Sequence, residues 1–200
     1  MRKNLSGYLS RAFDLSRQFK YEWTVNWKFV SEEVFLSRNF SIALLAIHAS
    51  LLLLFISTRW MKPLNRSPKS FIRNLFIERS ADVQAQISYK ITPEFILTTM
   101  LTSNAIGMLC ARSLHFQFFS WIAWATPFLL WRAKLNPILQ YVLWLGQEVA
   151  WNMYPPNELG SKIVVGVLAV VVVEVWIATD DEEGKKSPAE QVRETRKKII

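Results

Sequence analysis

Three long runs without a charged side chain limit what this chain can fold into. They cover residues 39–58, 95–111 and 113–131, and each is 17 to 20 residues long. A helix needs about 20 predominantly apolar residues to cross the hydrocarbon core of a bilayer. Strands of a membrane barrel would instead alternate apolar and polar residues, and these runs do not alternate. The sequence therefore predicts an all-α membrane protein, whose helices satisfy the backbone within the lipid.

Two further apolar segments bring the number of predicted membrane helices to five. The fourth helix is more polar than the others, and the fifth is rich in valine with Glu174 near one end. The predicted spans are residues 40–58, 95–111, 117–131, 135–154 and 162–179. They form a transmembrane domain over 40–179, between a lumenal or interfacial segment over 1–39 and a polar tail over 180–200. A connecting loop over 59–94 separates the first two spans.

The positions of the basic residues predict how these helices are oriented. Cytosolic loops of membrane proteins carry an excess of Lys and Arg. Seven such residues lie in loop 59–94, two in 132–134 and six in the tail, all on one side of a five-helix arrangement. Segment 1–39 also holds seven, spread over its whole length. The majority predicts a cytosolic loop 59–94, a cytosolic C-terminus and a lumenal N-terminal segment.

The last four residues, Lys197-Lys198-Ile199-Ile200, match a known retrieval signal. Lysines at the third and fourth positions from the end form the dilysine signal of endoplasmic-reticulum membrane proteins, which a receptor reads and which is not an anchor. Such a signal must face the cytosol, in agreement with the predicted orientation. The alternative is a basic helical tail that ends in two isoleucines by chance. We expect a multi-pass protein of the endoplasmic-reticulum membrane.

A polar cluster separates the second and third predicted spans and contains Arg112, His115 and Gln117. No Gly or Pro makes a plain turn around Arg112, so we expect a broken or re-entrant connection, which must be packed in protein or line a cavity. A guanidinium offers paired donors for phosphate oxygens, and an imidazole donates to an anion or exchanges a proton. The alternative is that Arg112 reaches the lipid headgroups while His115 caps a helix.

A stripe of amide, carboxylate and indole side chains runs along the predicted fourth helix. At helical spacing its members fall within roughly 120° of arc; they are Asn136, Gln140, Trp144, Gln147, Glu148 and Trp151. Asn152 lies just beyond. Such a face is suited to binding a sugar, because amides and carboxylates can hydrogen-bond its hydroxyls and indole rings can stack on its pyranose rings. The alternative is hydrogen bonding between packed helices. Glu148 is the most informative member, because a carboxylate there needs a partner or a wet cavity.

Several chemistries are excluded by what the sequence lacks. Two histidines and the single Cys110 cannot build a strong metal site. No Gly-rich phosphate loop and no nucleophile elbow is present. A formal net charge of +8 would suit nucleic acid, but the membrane pattern explains it better. We therefore predict no metal, no cofactor and no nucleic-acid partner, and the composition argues against a soluble enzyme.

Ordered motifs over roughly residues 7–160 resemble one family of membrane glycosyltransferases. In the first segment they are SRAFDLSRQF from Ser10, WTVNWKFV from Trp23 and EEVF from Glu32. Further along they are TSNAIG from Thr102, RSLHFQF from Arg112 and QEVAWNMYP from Gln147. With these motifs in this order, the chain resembles the dolichyl-phosphate-mannose-dependent α-1,3-mannosyltransferases of asparagine-linked glycosylation, of the fungal type.

The resemblance implies the C-terminal part of a type C glycosyltransferase fold with a lumenal active site. It implies dolichyl phosphate mannose as the donor and the lipid-linked oligosaccharide Man5GlcNAc2-PP-dolichol as the acceptor. Members are longer than this chain, and their acidic general base is expected in an early lumenal loop, upstream of every motif that matches. The catalytic base of this chain is therefore unknown and is expected outside it. Phe116 stands where the family commonly has Tyr, so the resemblance does not carry a substrate hydrogen bond from a hydroxyl over to this position.

Two hypotheses about function remain. In the first, the chain belongs to a mannosyltransferase, in which Arg112 and His115 bind the donor phosphate. Gln117, Glu148, Trp151 and Asn152 are its other predicted substrate-binding residues, on the lumenal side. In the second, the chain is a non-enzymatic multispanning subunit or a transport component.

Overall fold

The computed structural model describes residues 5–12, 20–61, 81, 84, 88 and 91–181. Within these residues the secondary structure is helical and contains no strand, which confirms the all-α prediction. The helices are α1 (Leu5–Ala12), α2 (Glu32–Leu36), α3 (Arg38–Phe55), α4 (Pro93–Cys110), α5 (Phe119–Arg132), α6 (Pro137–Trp151) and α7 (Glu158–Asp181). The predicted signal at Lys197 and Lys198, and most of loop 59–94, lie outside the described residues.

Shorter turns extend or join these helices. The π-helical turn Ile56–Trp60 continues α3, and the 3-10 turn Phe116–Phe118 leads directly into α5. Another 3-10 turn, Tyr21–Trp23, precedes α2. Between α4 and α5 the backbone leaves the helix after Cys110 and regains it at Phe116. The break that the sequence predicted around Arg112 is therefore present.

Side-chain caps fix where three of the long helices begin. The Ser37 hydroxyl accepts a hydrogen bond from the Phe40 backbone N–H at 3.1 Å, and the Thr92 hydroxyl accepts one from Phe95 at 3.2 Å. Asn136 does the same at the start of α6. Each cap satisfies a backbone N–H that has no partner within its own helix. In α4 and α6 a proline in the first turn supplies the backbone angle that a helix start requires.

Each of the five predicted spans contains one long helix, but the bounds differ. In the third predicted span, a 3-10 turn precedes α5. In the fourth, α6 ends at Trp151 rather than at residue 154. The fifth is longer than predicted and starts at Glu158. Two segments, Arg38–Trp60 and Glu158–Thr179, are long and apolar enough to cross a membrane, each with a mean hydropathy of 2.3. The number of membrane crossings remains a prediction.

Helix α7 packs against α4, α5 and α6 in the described bundle. One apolar cluster joins α7 to α3, α4 and α5; its members include Phe55, Ile106, Leu129, Leu130, Val171 and Val175. A second cluster lies around the break between α4 and α5 and includes Val25, Leu114, Trp151, Val164 and Leu168. In lipid, such clusters stabilise through van der Waals packing rather than through transfer from water. Large apolar side chains on the outer face of α3 lie exposed, as lipid-facing residues do.

Candidate functional site

Two of the motifs meet at the break between α4 and α5. The Val25 backbone N–H donates to the Leu114 carbonyl oxygen at 2.8 Å. The Leu114 N–H in turn donates to the Asn26 side-chain oxygen, also at 2.8 Å. Val25, Asn26 and Leu114 are each 2% exposed or less. Residues 24–28 thus dock on residues 111–115, and we call this contact the junction.

Trp27 and Lys28 complete the junction. The Trp27 indole N–H donates to the Ala111 carbonyl oxygen at 2.9 Å. Its backbone has a positive φ of 55°, a conformation that is rare for a bulky residue and that needs surrounding contacts to hold it. The Lys28 backbone N–H donates to the hydroxyl of Ser161 on α7 at 2.6 Å. The junction therefore also connects with the first turn of α7.

Arg112 projects from the junction towards α2 and α3. Its Nη1 donates to the Ser41 hydroxyl at 2.9 Å, and its Nη2 lies 3.4 Å from the Leu36 carbonyl oxygen. The guanidinium carbon is 5.6 Å from the centre of the Phe35 ring. The half-buried side chain therefore lies among protein groups. The Nη2 contact is long for a hydrogen bond, so a better acceptor could replace it.

His115 lies beside Arg112 in sequence and contacts the N-terminal segment. Its Nδ1 is 3.2 Å from the Trp23 carbonyl oxygen, which can only accept a hydrogen bond, so this contact places a proton on Nδ1. The ring stacks on Phe118, with 6.5 Å between the ring centres. This arrangement leaves Nε2 to accept or donate. Gln117 is exposed next to it.

The predicted stripe on α6 is divided by the structure into inner and outer side chains. Gln147 is 1% exposed and hydrogen-bonds the hydroxyl of Thr126 on α5, with 2.9 Å between Nε2 and Oγ1. Trp151 is 2% exposed and packs on Phe119, with 5.8 Å between the ring centres. Its indole N–H has no hydrogen-bond partner among the described residues. For Gln147 the structure thus shows the interhelical contact that was the alternative to sugar binding.

The outer members of the stripe are more accessible. Glu148 is half-buried, and Trp144 is 38% exposed. Asn152 is exposed, and its Nδ2 donates to the Glu148 carbonyl oxygen at 2.7 Å. These side chains could contact a ligand from the outside, whereas Gln147 and Trp151 are committed to packing.

The junction and the end of α6 are adjacent. Leu114 and Trp151 belong to the same buried cluster. The ring of Phe116 lies 6.1 Å from that of Tyr154, which follows α6. The structure therefore brings the polar cluster that contains Arg112 and the end of the α6 stripe that contains Trp151 to the same end of the bundle.

A tyrosine and a lysine brace the N-terminal side of the junction. The Tyr21 hydroxyl lies 2.7 Å from both the Lys28 and the Val30 carbonyl oxygens. The Lys28 ammonium donates to the Tyr21 carbonyl oxygen and lies 4.2 Å from the centre of its ring. Burial raises the pKa of Tyr21, and the negative charges of Glu158 and Glu32 raise it further. The phenol therefore remains a hydrogen-bond donor at neutral pH.

Sequence reasoning did not single out Asn26 or Ser161. The contacts of Asn26 lie 85 and 88 positions away along the chain, and the Lys28–Ser161 contact spans 133 positions. No local pattern carries such a pairing. Among the residues that the structure describes, no group of His, Cys, Asp and Glu could hold a metal ion.

Comparison with known proteins places these motifs in a family. The family model described as "ALG3 protein" matches residues 1–161. A Dol-P-Man:Man(5)GlcNAc(2)-PP-Dol alpha-1,3-mannosyltransferase of Neurospora crassa is 47% identical over 190 residues, which are 92% of this chain and 43% of that protein. Proteins of the same name from Homo sapiens and Arabidopsis thaliana are 42% and 37% identical, over 88% and 92% of this chain and 39% and 44% of their own lengths. No solved structure matches.

The extent of these matches settles the family. The chain spans less than half the length of the curated relatives, and it corresponds to their C-terminal part. The family model covers both motifs of the junction and all of α6. The resemblance that the sequence motifs indicated is confirmed: the chain belongs to the ALG3 protein family.

Proposed function

We propose that this chain takes part in transferring mannose from dolichyl phosphate mannose, in α-1,3 linkage, to the Man5GlcNAc2-PP-dolichol acceptor. The observation that carries the proposal is the 47% identity, over 190 residues, to the Neurospora crassa mannosyltransferase. The junction supports it, because the structure joins two motifs that the sequence associated with this family. Both substrates are lipid-linked, which agrees with an apolar helical chain.

The reaction requires a proton acceptor and stabilisation of a leaving phosphate. An acceptor hydroxyl oxygen forms a bond to the anomeric carbon of mannose, while the bond from that carbon to the dolichyl phosphate oxygen breaks. The hydroxyl proton passes to a general base, and the leaving phosphate carries away the negative charge. In this proposal the base comes from the part of the relatives that this chain does not match.

Arg112 and His115 bind the donor phosphate in this proposal. The Arg112 Nη2, now 3.4 Å from the Leu36 carbonyl oxygen, turns to a phosphate oxygen, which is a stronger acceptor for a guanidinium. His115 keeps its Nδ1 proton on the Trp23 carbonyl oxygen and directs Nε2 at the phosphate. The Arg112 guanidinium stabilises the negative charge that develops as the leaving group departs, and the His115 ring contacts the same phosphate.

The remaining predicted residues form the wall of the site on the lumenal side. Gln117 and Asn152 are exposed and Glu148 is half-buried, so their polar groups are available to sugar hydroxyls. Trp151 is too buried to stack on a pyranose ring. It supports the wall through Phe119 instead.

The proposed setting is the endoplasmic-reticulum membrane. The junction lies on the lumenal side, and loop 59–94 and the C-terminus lie in the cytosol. Lys197 and Lys198 then present the dilysine signal to its cytosolic receptor. The orientation rests on the distribution of Lys and Arg among the loops.

A chimera tests the enzyme proposal. Residues 1–200 replace the matching C-terminal part of the Neurospora crassa relative, and microsomes carrying the chimera receive dolichyl phosphate mannose and the five-mannose acceptor. We expect mannose transfer, and we expect Arg112→Ala to reduce it by about 10² or more, the scale of losing one stabilising donor. Arg112→Lys is the matched variant, which keeps the charge but not the paired donors.

The outcome also decides between the two hypotheses. A chimera that accumulates like the parent relative but transfers no mannose would favour the non-enzymatic subunit. Full activity of the Arg112→Ala chimera would leave the enzyme proposal standing and would remove Arg112 from the phosphate site.

A further inference from the structure

One buried amide spans the backbone that carries Arg112. The Asn26 Nδ2 donates to the Ala111 carbonyl oxygen at 2.6 Å, and its Oδ1 accepts from the Leu114 N–H at 2.8 Å. Asn26 is 1% exposed. Its two bonds bracket Arg112 and Ser113, so this one side chain contacts both ends of the two-residue arch between them, and the Trp27 indole N–H shares the Ala111 carbonyl oxygen at 2.9 Å.

Neighbouring groups fix the orientation of this amide. The Leu114 N–H can only donate and the Ala111 carbonyl can only accept, so the amide oxygen must face Leu114 and the nitrogen must face Ala111. The Thr24 hydroxyl donates to the same Oδ1 at 2.8 Å. Thr24 itself is fully buried. The contact needs one donor and one acceptor on the same planar group, and among side chains of this length only asparagine provides both.

We infer that Asn26 is a positioning residue for Arg112. By holding the Ala111 carbonyl and the Leu114 N–H, the amide sets the direction in which Arg112 leaves the backbone, towards Ser41 at 2.9 Å. The inference rests on the proposed function, in which Arg112 binds the donor phosphate. Because Asn26 is buried, it acts on the donor only through the arch in this proposal.

The isosteric variant Asn26→Asp tests whether the arch depends on the hydrogen bonds of the Asn26 amide. A carboxylate keeps the acceptor for Leu114 but loses the donor for Ala111, and it places a negative oxygen against the carbonyl oxygen. In the chimera we expect the KM for dolichyl phosphate mannose to rise by about tenfold or more, the change that one lost buried hydrogen bond can produce. The KM for the oligosaccharide acceptor should stay within twofold.

Asn136→Asp is the matched control, because Asn136 lies at the opposite end of α6 from Trp151 and is not among the substrate-binding residues of the proposed site. Asn136 caps α6 by accepting a hydrogen bond from the Ile138 N–H at 2.9 Å, and a carboxylate performs that task equally well. The same chemical change there should leave both KM values unaltered.

A second measurement needs no enzymatic activity. Cys110 is the single cysteine of the chain, is 8% exposed and directly precedes Ala111. In the full chain translated into microsomes, Asn26→Asp should raise the rate of Cys110 alkylation by a small maleimide at least fivefold. Thr24→Val, which keeps the shape but loses the hydroxyl, should raise it less. Thr24→Ser, which keeps the hydroxyl, should leave the alkylation rate as low as in the wild-type chain.

These results separate the inference from the proposed function. An unchanged rate of Cys110 alkylation in both Asn26→Asp and Thr24→Val would contradict the inference that the Asn26 amide holds the arch. An equal rise of the KM values for donor and acceptor would also contradict it. If Arg112→Ala transfers mannose at the full rate, the phosphate assignment of Arg112 fails instead, and with it the positioning role of Asn26. The alkylation result would then still report whether the amide holds the arch.

Discussion

The phenol of Tyr21 ties together the segment that leads into α2. It lies within hydrogen-bond distance of two carbonyl oxygens, those of Lys28 and Val30. We expect Tyr21→Phe to destabilise the chain by about 1 kcal/mol, because a partly buried hydrogen bond is lost and a carbonyl is left without its donor. Thermal unfolding in detergent measures the change. Tyr8→Phe is the control, since Tyr8 is 69% exposed, and an equal loss there would contradict the assignment.

The raised pKa of Tyr21 predicts a dependence on alkaline pH. The ordinary pKa of tyrosine is 10.0, and burial together with Glu158 and Glu32 lifts the folded-state value above it. The folded state therefore holds the phenolic proton more tightly than the unfolded state. Its contribution to stability is fully present below pH 10 and is lost as the pH rises through the folded-state pKa. Unfolding measured from pH 8 to 12 should show a steeper decline for the wild-type chain than for Tyr21→Phe.

Single residues also mark what the sequence could and could not predict. The polar identity of Arg112 and the absence of Gly or Pro near it were enough to predict the broken connection, because a charged residue ends an apolar run. The partner of that connection was not predictable, since Asn26 lies more than 80 positions earlier and its amide contributes nothing to any periodic pattern. Trp151 was predicted from helical spacing, which places residues on a face but does not say whether that face is covered.

At the scale of the helices, apolarity predicted where they lie but not where they end. Helix α7 begins at Glu158, ahead of the apolar run, because its first turn has other stabilising contacts. The Asn157 side chain accepts a hydrogen bond from the Gly160 N–H at 2.9 Å, and Lys162 lies 3.6 Å from the Glu158 carboxylate. Hydropathy predicts which residues lie in the lipid. The residue at which a helix begins or ends is decided by capping hydrogen bonds and by ion pairs between side chains in its end turns.

Helices α5 and α6 are joined by the Thr126–Gln147 contact, which predicts a measurable coupling. A double-mutant cycle with Thr126→Val and Gln147→Leu should give about 0.6 kcal/mol, and at most about 1.7, the range known for hydrogen bonds between membrane helices. Thermal unfolding of the two single variants and the double variant measures it. Strictly additive effects would show that the 2.9 Å contact contributes nothing to stability.

An arginine in the π-helical turn after α3 and a tryptophan near the end of α7 join these two elements. The Arg59 Nε donates to the Trp176 carbonyl oxygen at 2.8 Å, and the guanidinium lies 4.3 Å from the centre of that indole ring. We expect Arg59→Ala to cost about 1.5–3 kcal/mol, the range for hydrogen bonds from charged groups. Arg59→Lys should not restore stability, because an ammonium cannot both stack and donate from Nε.

The control for this contact is Arg38→Ala, at an exposed position in the first turn of α3. It should lower the unfolding temperature much less than Arg59→Ala does. Equal effects of the two substitutions would mean that a charge on α3, and not its contact with Trp176, stabilises the helix pair.

In the molecule as a whole, the candidate site residues lie at one end of the described bundle. Along α3, a wide apolar face is exposed. Ile42, Leu45 and Leu53 on this face are between 53% and 67% exposed. The curated relatives are more than twice as long as the part that this chain matches. In the proposed membrane setting this apolar face contacts lipid.

The chain by itself is expected to be inactive. Residues 1–200 should insert into microsomes but transfer no detectable mannose. In the proposed mechanism the base lies in the part of the relatives that this chain does not match, and losing a base alone costs a factor of about 10² to 10⁴. The larger loss is geometric, since donor phosphate and acceptor hydroxyl would lack a shared cavity to orient them. Co-expression with the N-terminal part of the Neurospora crassa relative should restore some transfer, as helices associate through their packing faces. Mannose transfer by the purified chain alone would contradict this, and the base would then lie among its own carboxylates, with Glu32, Glu33 and Glu148 the first to substitute.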